Sequence, residues 1–133
     1  MGRTVRCSQK QRRGRLAKAV TFSEAAQQLD ALADDGTPTD ARIALYVDAG
    51  IAAADVICCI ALGEHAAGQS HDEAIDLLGR VDKPLTLDLA SLLRFKTRTS
   101  DGADAATQQQ LKTASRAAKR LVGAASRKAL RSN

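Results

Sequence analysis

Apolar residues recur along this chain at intervals of three and four positions, the spacing expected of helices that pack along one face. One such stripe begins at Leu16 and continues through Phe22 and Leu29. A second run, Ala49 to Leu62, is apolar almost without interruption, and Asp55 is its only charge. A helix that is apolar all round is enclosed by other helices. We therefore predict that this second helix is the centre of the fold.

Glycine and capping residues set the expected limits of the first two helices. The first should end at Gly36, which can adopt the left-handed conformation that terminates a helix. Thr39 or Asp40 should cap the second helix, and Gly63 should end it.

Three further helices are expected after Gly63. Ser70 and Glu73 form an S-x-x-E capping box that opens a short third helix. A fourth should start around residues 82–84, and a fifth should follow a turn at residues 100–102. Few β-branched runs and only 2% aromatic residues favour close-packed helices over strands. The predicted fold is all-α, an up-and-down bundle of four to five helices.

The length of 133 residues fits a single domain. Residues 1–14 are polar and cationic and have no apolar period, so we predict a basic N-terminal arm, either mobile or a frayed start of the first helix. The helical-bundle domain should then cover residues 15–133.

Charge is distributed very unevenly along the chain. Residues 1–20 and 105–133 each carry seven basic side chains and no acid, whereas residues 21–104 carry six basic and fifteen acidic ones. Basic ends on an acidic body suggest binding to phosphate backbones, although they could equally neutralise that body within one chain or across a dimer. The candidate nucleic-acid-binding residues are Arg12, Arg13, Arg15, Arg94, Arg98, Arg116, Lys119 and Arg120.

The three cysteines are not expected to form a disulfide framework. Cys58 and Cys59 are adjacent in a predicted helix and point about 100° apart, so we do not expect them to bridge each other. We therefore expect a cytoplasmic, reducing setting. No secretory signal is recognised, and the Ala49 to Leu62 run is shorter than the roughly 20 residues of a membrane span.

Two acids on the central helix need partners. Asp48 and Asp55 are seven positions apart and share one face, with Cys59 close to the same stripe. They could lie at a solvated groove or pair with arginines, or they could serve a functional site.

A family resemblance rests on the stretch that follows the central helix. A long buried helix, a short glycine-containing loop and the sequence His71-Asp72-x-x-Ile75-x-Leu77-Leu78 resemble the HEPN superfamily over residues 12–128. The resemblance implies a bundle of four or five helices. It also implies a homodimer, because many HEPN domains are metal-independent ribonucleases of toxin and phage-defence systems in which both copies contribute to one cleft.

The HEPN signature is an arginine, usually followed by a polar residue, and then four to six residues to a histidine. His71 matches the histidine, but the arginine position falls among Glu64, His65 and Ala66, and none of these is arginine. RNA cleavage needs a base, an acid and a cation. His65 and His71 could act as acid and base; Arg94 or Arg98 could supply the cation. Alternatively, His71 is only a helix-start residue and His65 only a loop residue.

Three functions therefore remain open. The first is a HEPN-like nucleic-acid-associated protein, including a ribonuclease with an altered motif. The second is a non-catalytic nucleic-acid-binding module, and the third is a protein-interaction homodimer. The expected partners are a second copy of the chain, RNA or DNA and a cognate protein, without a membrane. No cofactor is expected, and no metal either, since adjacent cysteines without C-x-x-C spacing cannot easily share an ion.

Overall fold

A computed structural model describes residues 3–32, 38–68, 70–101 and 106–132, and of residues 97–101 it describes the backbone alone. The all-α bundle is confirmed, and a short two-stranded ribbon accompanies it. In chain order the elements are β1 (Thr4–Arg6), α1 (Gln9–Leu32), α2 (Thr39–Leu62), β2 (Glu64–Ala66), α3 (His71–Gly79), α4 (Leu85–Asp101) and α5 (Gln108–Arg131). The predicted helix end at Gly36 lies outside the described residues.

Helix α2 lies at the centre of the bundle, as its apolar pattern predicts. It packs against α1, α4 and α5. Ile43, Tyr46 and Ile57 are fully buried along it. A Cβ at Gly50 would overlap the side chain of Leu92 on α4, so the absence of a side chain lets the two helices approach closely.

The apolar run of α2 belongs to a helix of 24 residues, which by length and composition alone could cross a membrane. Residues 49–62 alone are shorter than a membrane span, whereas the whole of α2 is long enough. However, 67% of the most apolar window is buried inside the bundle, and the core helix of a bundle has the same composition.

The ends of α2 agree only partly with the sequence. Gly63 ends the helix in the left-handed conformation, with φ of 76°. The predicted cap at Thr39 or Asp40 is wrong, because Pro38 occupies the N-cap position in an extended conformation and no side chain caps the helix. The Asp40 carboxylate instead accepts a hydrogen bond from the backbone N–H of Ala106 at 3.0 Å, which ties α2 to the start of α5.

The later helices begin largely as expected. Ser70 caps α3, and its hydroxyl accepts from the N–H of Glu73 at 3.3 Å. Asp82 accepts from the N–H of Leu85 at the start of α4. The prediction of a turn at residues 100 and 101 is wrong, because the backbone of α4 remains helical through Asp101, and residue 102 lies outside the described residues.

The ion pairs at both ends of α1 establish that α1 and α2 are antiparallel. Arg15 near the start of α1 pairs with Asp55, and Asp30 near its end pairs with Arg42. Helix α5 runs parallel to α2, because its start lies at Asp40 and its end lies beside Ile60. We call the end of the bundle that contains the two strands, the start of α1 and the ends of α2 and α5 the ribbon end.

Residues 3–14 form structured elements, and from Gln9 onward they are the helical lead-in that was one of the two alternatives. Residues 4–6 form β1, and helix α1 is continuous from Gln9 through the expected boundary at residue 14. Ser8 and Gln11 bond reciprocally at the helix start, at 2.9 and 3.1 Å. The basic segment is thereby held against the bundle.

Candidate functional site

A disulfide joins Cys7, just after β1, to Cys59 in the last turn of α2. The Cα atoms lie 5.7 Å apart, a usual separation for a disulfide. The expectation that the cysteines stay unbridged was therefore wrong. The prediction that Cys58 and Cys59 do not bridge each other is confirmed, because Cys59 is bonded to Cys7 and Cys58 is free and buried. Burial, with the charges of Asp55 and Glu64, raises the pKa of the Cys58 thiol to about 12.

Strand β1 lies antiparallel to the segment that the HEPN resemblance singles out. Val5 is opposite His65, and Arg6 is opposite Glu64. Two further backbone hydrogen bonds lengthen the ribbon. At one end the N–H of Cys7 donates to the carbonyl oxygen of Gly63 at 3.0 Å, and at the other the N–H of Ala67 donates to the carbonyl oxygen of Arg3 at 3.1 Å.

The start of β1 also reaches α3. The backbone N–H of Arg3 donates to Oε2 of Glu73 at 3.2 Å, two residues after His71. Arg6 of β1 and Arg3 just before it thus lie along the loop in which the HEPN resemblance would place an arginine.

His65 is a buried strand residue and not a loop residue. It is 6% exposed, and its Nδ1 lies 2.7 Å from the carbonyl oxygen of Ala66. Since a carbonyl can only accept, Nδ1 is the donor. The ring is accordingly held against its own strand, where RNA cannot reach it easily.

Asp55 is the acidic member of a polar cluster beside His65. Its Oδ2 accepts from Nη1 of Arg15 at 3.0 Å, and its side chain is 16% exposed. Burial raises the pKa of Asp55, and charge interactions with Arg15, His65 and Lys18 oppose that rise. This pairing bears out one of the two structural alternatives for Asp55, namely an arginine partner.

His71 lies in a different environment. It is the first residue of α3 and is exposed. The two histidines that were predicted to act together as acid and base therefore differ in accessibility, since only His71 presents its ring to a large ligand.

The predicted basic residues fall into three groups. Arg12 and Arg13 lie at the ribbon end, beside Arg15. Arg94 is exposed on α4 near Ser91, and the side chain of Arg98 lies outside the described part. On α5 the remaining three are exposed, namely Arg116, Lys119 and Arg120.

Arg120 is committed to a structural contact. Its Nη2 and Nε donate to Oδ1 of Asp88 at 2.6 and 3.0 Å, and Asp88 is 11% exposed at the side chain. The bond to Asp88 raises the pKa of Arg120. We therefore remove Arg120 from the candidate phosphate-binding set.

Sequence reasoning missed Arg3, Arg6, Lys128 and Arg131 as candidates. Lys128 and Arg131 line a shallow cleft of about 400 Å³ with Ile60, at the ribbon end. The β-branched pair in the run RTVRC was a local signal for β1. No local signal indicates that residues 3–15 and 128–131 share one end of the bundle.

Within the described ranges, no group of three or more His, Cys, Asp or Glu side chains could hold a metal ion. The sulfur of Cys59 is already bonded to Cys7.

No protein-family model, curated protein or solved structure matches this chain.

Proposed function

We propose that this chain is a HEPN-like, RNA-associated protein that binds the phosphate backbone at its ribbon end. One observation carries the proposal: basic residues near the start of α1 and near the end of α5 lie at the same end of the bundle. Arg12 and Arg13 from α1 lie at the same end as Lys128 and Arg131 from α5. Clustered cations of this kind attract a phosphate backbone and release its counterions.

The alternative that these cations neutralise the acidic body within one chain has little support. Across the described residues the ion pairs are Arg15–Asp55, Arg42–Asp30 and Arg120–Asp88. None of them uses Arg12, Arg13, Lys128 or Arg131. These four side chains are available to a ligand.

The test is a charge reversal of the ribbon end. We expect the double variant Arg12→Glu/Arg13→Glu to bind a labelled single-stranded RNA at least tenfold more weakly, about 1.4 kcal/mol, in fluorescence anisotropy. The matched control is Arg80→Glu/Lys83→Glu, which makes the same charge change at two exposed positions around the α3–α4 connection. Equal loss in both variants would mean that only net charge matters and would reject the ribbon end as the site.

RNA cleavage is a second candidate function, favoured by the exposed position of His71 beside the start of β1. In this reaction a ribose 2′-oxygen attacks the adjacent phosphorus, a base takes the 2′ proton, and an acid protonates the leaving 5′-oxygen. His71 would exchange one of these protons, and Arg3 or Arg6 would stabilise the charge on the phosphate.

Cleavage is tested by incubating RNA with the protein and a chelator. His71→Ala should abolish the cleavage and leave RNA binding within about threefold, roughly 0.7 kcal/mol. Intact RNA after incubation with wild-type protein would reject the ribonuclease and leave the binding proposal standing.

The proposal includes a homodimer, which the HEPN resemblance implies, and a cytoplasmic location. Sedimentation equilibrium should give twice the chain mass of 14.0 kDa. A monomer at all concentrations would contradict the dimer, and it would also reject the protein-interaction homodimer as a competing function.

A further inference from the structure

A second basic feature lies at the opposite end of the bundle from the strands. A cleft of about 340 Å³ opens there between the end of α1, the start of α2 and the first half of α5. Asp30 and Arg42 line one side, and three cations of α5 line the other: Lys112, Arg116 and Lys119.

A buried hydrogen-bond network forms the inner side of this cleft. Nε of Arg42 donates to Oδ1 of Asp30 at 2.7 Å, and the hydroxyl of Tyr46 donates to Oδ2 at 2.5 Å. Arg42 is 7% exposed, and Tyr46 is fully buried. Burial and the bond to Asp30 raise the pKa of Tyr46 to about 12, while a hydrogen bond with Ser115 opposes the rise. Tyr46 therefore stays protonated and remains a donor to Asp30.

This network leaves no described acid of the cleft for the α5 cations. Among the described residues that line the cleft, Asp30 is the only carboxylate, and each of its oxygens already accepts from a buried donor. In the part of the chain that the structure describes, no ion pair involves Lys112, Arg116 or Lys119. Lys119 does lie over the Tyr46 ring, with Nζ 6.0 Å from its centroid.

The three cations share one face of α5 because they are spaced i, i+4 and i+7. Like charges at such spacing repel each other and destabilise a helix. With Arg42 they make four positive charges against the single negative charge of Asp30, which gives a net charge of about +3 for the described residues that line the cleft. An anion with two or three charges would relieve the repulsion.

We propose that this cleft binds a terminal phosphate group, of the kind carried by a phosphomonoester or a diphosphate. A terminal phosphate is nearly dianionic at neutral pH, whereas each backbone diester carries one charge. The volume matches a small ligand, since such pockets range from about 300 to 1,000 Å³. Guanidinium groups such as that of Arg116 bind phosphate through two parallel hydrogen bonds.

The phosphate could come from a free small molecule or from the 5′ end of RNA, and the experiment separates these sources. Isothermal titration uses inorganic pyrophosphate first, and then two RNA pentamers of one sequence, with a 5′-phosphate or a 5′-hydroxyl. We expect pyrophosphate to bind. A 5′-phosphate preference of at least tenfold identifies the RNA end as the source, and equal binding of the pentamers identifies a free small phosphate.

The variant Lys112→Gln/Arg116→Gln should weaken pyrophosphate binding at least tenfold. Its matched control, Arg80→Gln/Lys83→Gln, removes the same charge at the α3–α4 connection, outside both proposed sites, and should change that binding less than twofold. All four positions are at least partly exposed, and melting curves verify that both variants fold. Absence of pyrophosphate binding, or an equal loss in the control, would overturn the proposal.

The cleft can fail without the proposed function failing, because the two use different residues. If only the proposal for the cleft is wrong, wild-type protein still binds RNA through Arg12 and Arg13 but does not bind pyrophosphate. If only the ribbon end is wrong, pyrophosphate binds and Arg12→Glu/Arg13→Glu behaves like its control.

Discussion

The disulfide between Cys7 and Cys59 should account for a large part of the stability of this bundle. The two residues are 52 positions apart in sequence, so the bond closes a long loop in the unfolded chain. The chain-entropy relation gives about 4 kcal/mol at 25 °C for a loop of that length. Unfolding entropy for 133 residues is about 0.28 kcal/mol/K, so this loss would lower Tm by about 14 °C.

The perturbation that isolates this effect is Cys7→Ser, because Cys7 is only partly buried and serine nearly preserves its volume. Urea unfolding followed by far-UV circular dichroism measures the free energy of unfolding. Without reductant we expect Cys7→Ser to unfold at a much lower urea concentration than wild type. In excess dithiothreitol, which reduces the disulfide, the two curves should coincide.

Unfolding of Cys7→Ser and wild type at the same urea concentration without reductant would show that closing the loop between Cys7 and Cys59 does not stabilise the fold. A difference that persisted unchanged in dithiothreitol would show the same, since it would come from the serine itself and not from the lost cross-link.

Two further perturbations test the packing and the polar cluster. Gly50→Ala places a methyl group against Leu92 and should destabilise the fold by about 1–3 kcal/mol. At Gly14 a Cβ meets nothing within 4 Å, so Gly14→Ala should stabilise α1 by roughly 0.5–1 kcal/mol. The urea midpoints of the two variants measure the difference, and equal effects would contradict the close approach of α2 and α4. Burial raises the pKa of Asp55 above 3.8, so folding favours its protonated form and its favourable contribution is lost as pH rises through the folded-state pKa. Wild type should therefore lose stability relative to Asp55→Asn as pH rises from about 4 to 7, in paired thermal melts, and the opposite trend would show that the ion pair with Arg15 outweighs desolvation.

Local signals in the sequence predict most of the fold. The apolar period of α2, the left-handed Gly63 and the cap at Ser70 each depend on residues within one or two turns, and each is found in the structure. The cap at Thr39 failed because the extended backbone of Pro38 takes that position one residue earlier.

The ribbon and the disulfide could not be predicted in the same way. Pairing of Val5 with His65, and of Cys7 with Cys59, joins segments that are distant in sequence. Only three-dimensional packing brings them together. The burial of His65 could not be predicted for the same reason. Its polarity and position suggested an exposed loop residue instead.

The disulfide also bears on the compartment. Disulfides persist in oxidising environments and are rare in the cytosol. The cytoplasmic location was inferred from unbridged cysteines, so its premise no longer holds and the location stays a prediction. Thiol labelling of the protein in intact cells, with Cys58→Ala to remove the free thiol, would report whether Cys7 and Cys59 are oxidised there.

The salt dependence of RNA binding tests the central claim most directly. If four cations at the ribbon end, Arg12, Arg13, Lys128 and Arg131, contact phosphates, the logarithm of the binding constant should fall with log[salt] at a slope of about −3 for single-stranded RNA. Replacing all four by glutamine should bring that slope close to zero. A shallow slope for wild-type protein, or a steep slope that survives the four substitutions, would contradict the account.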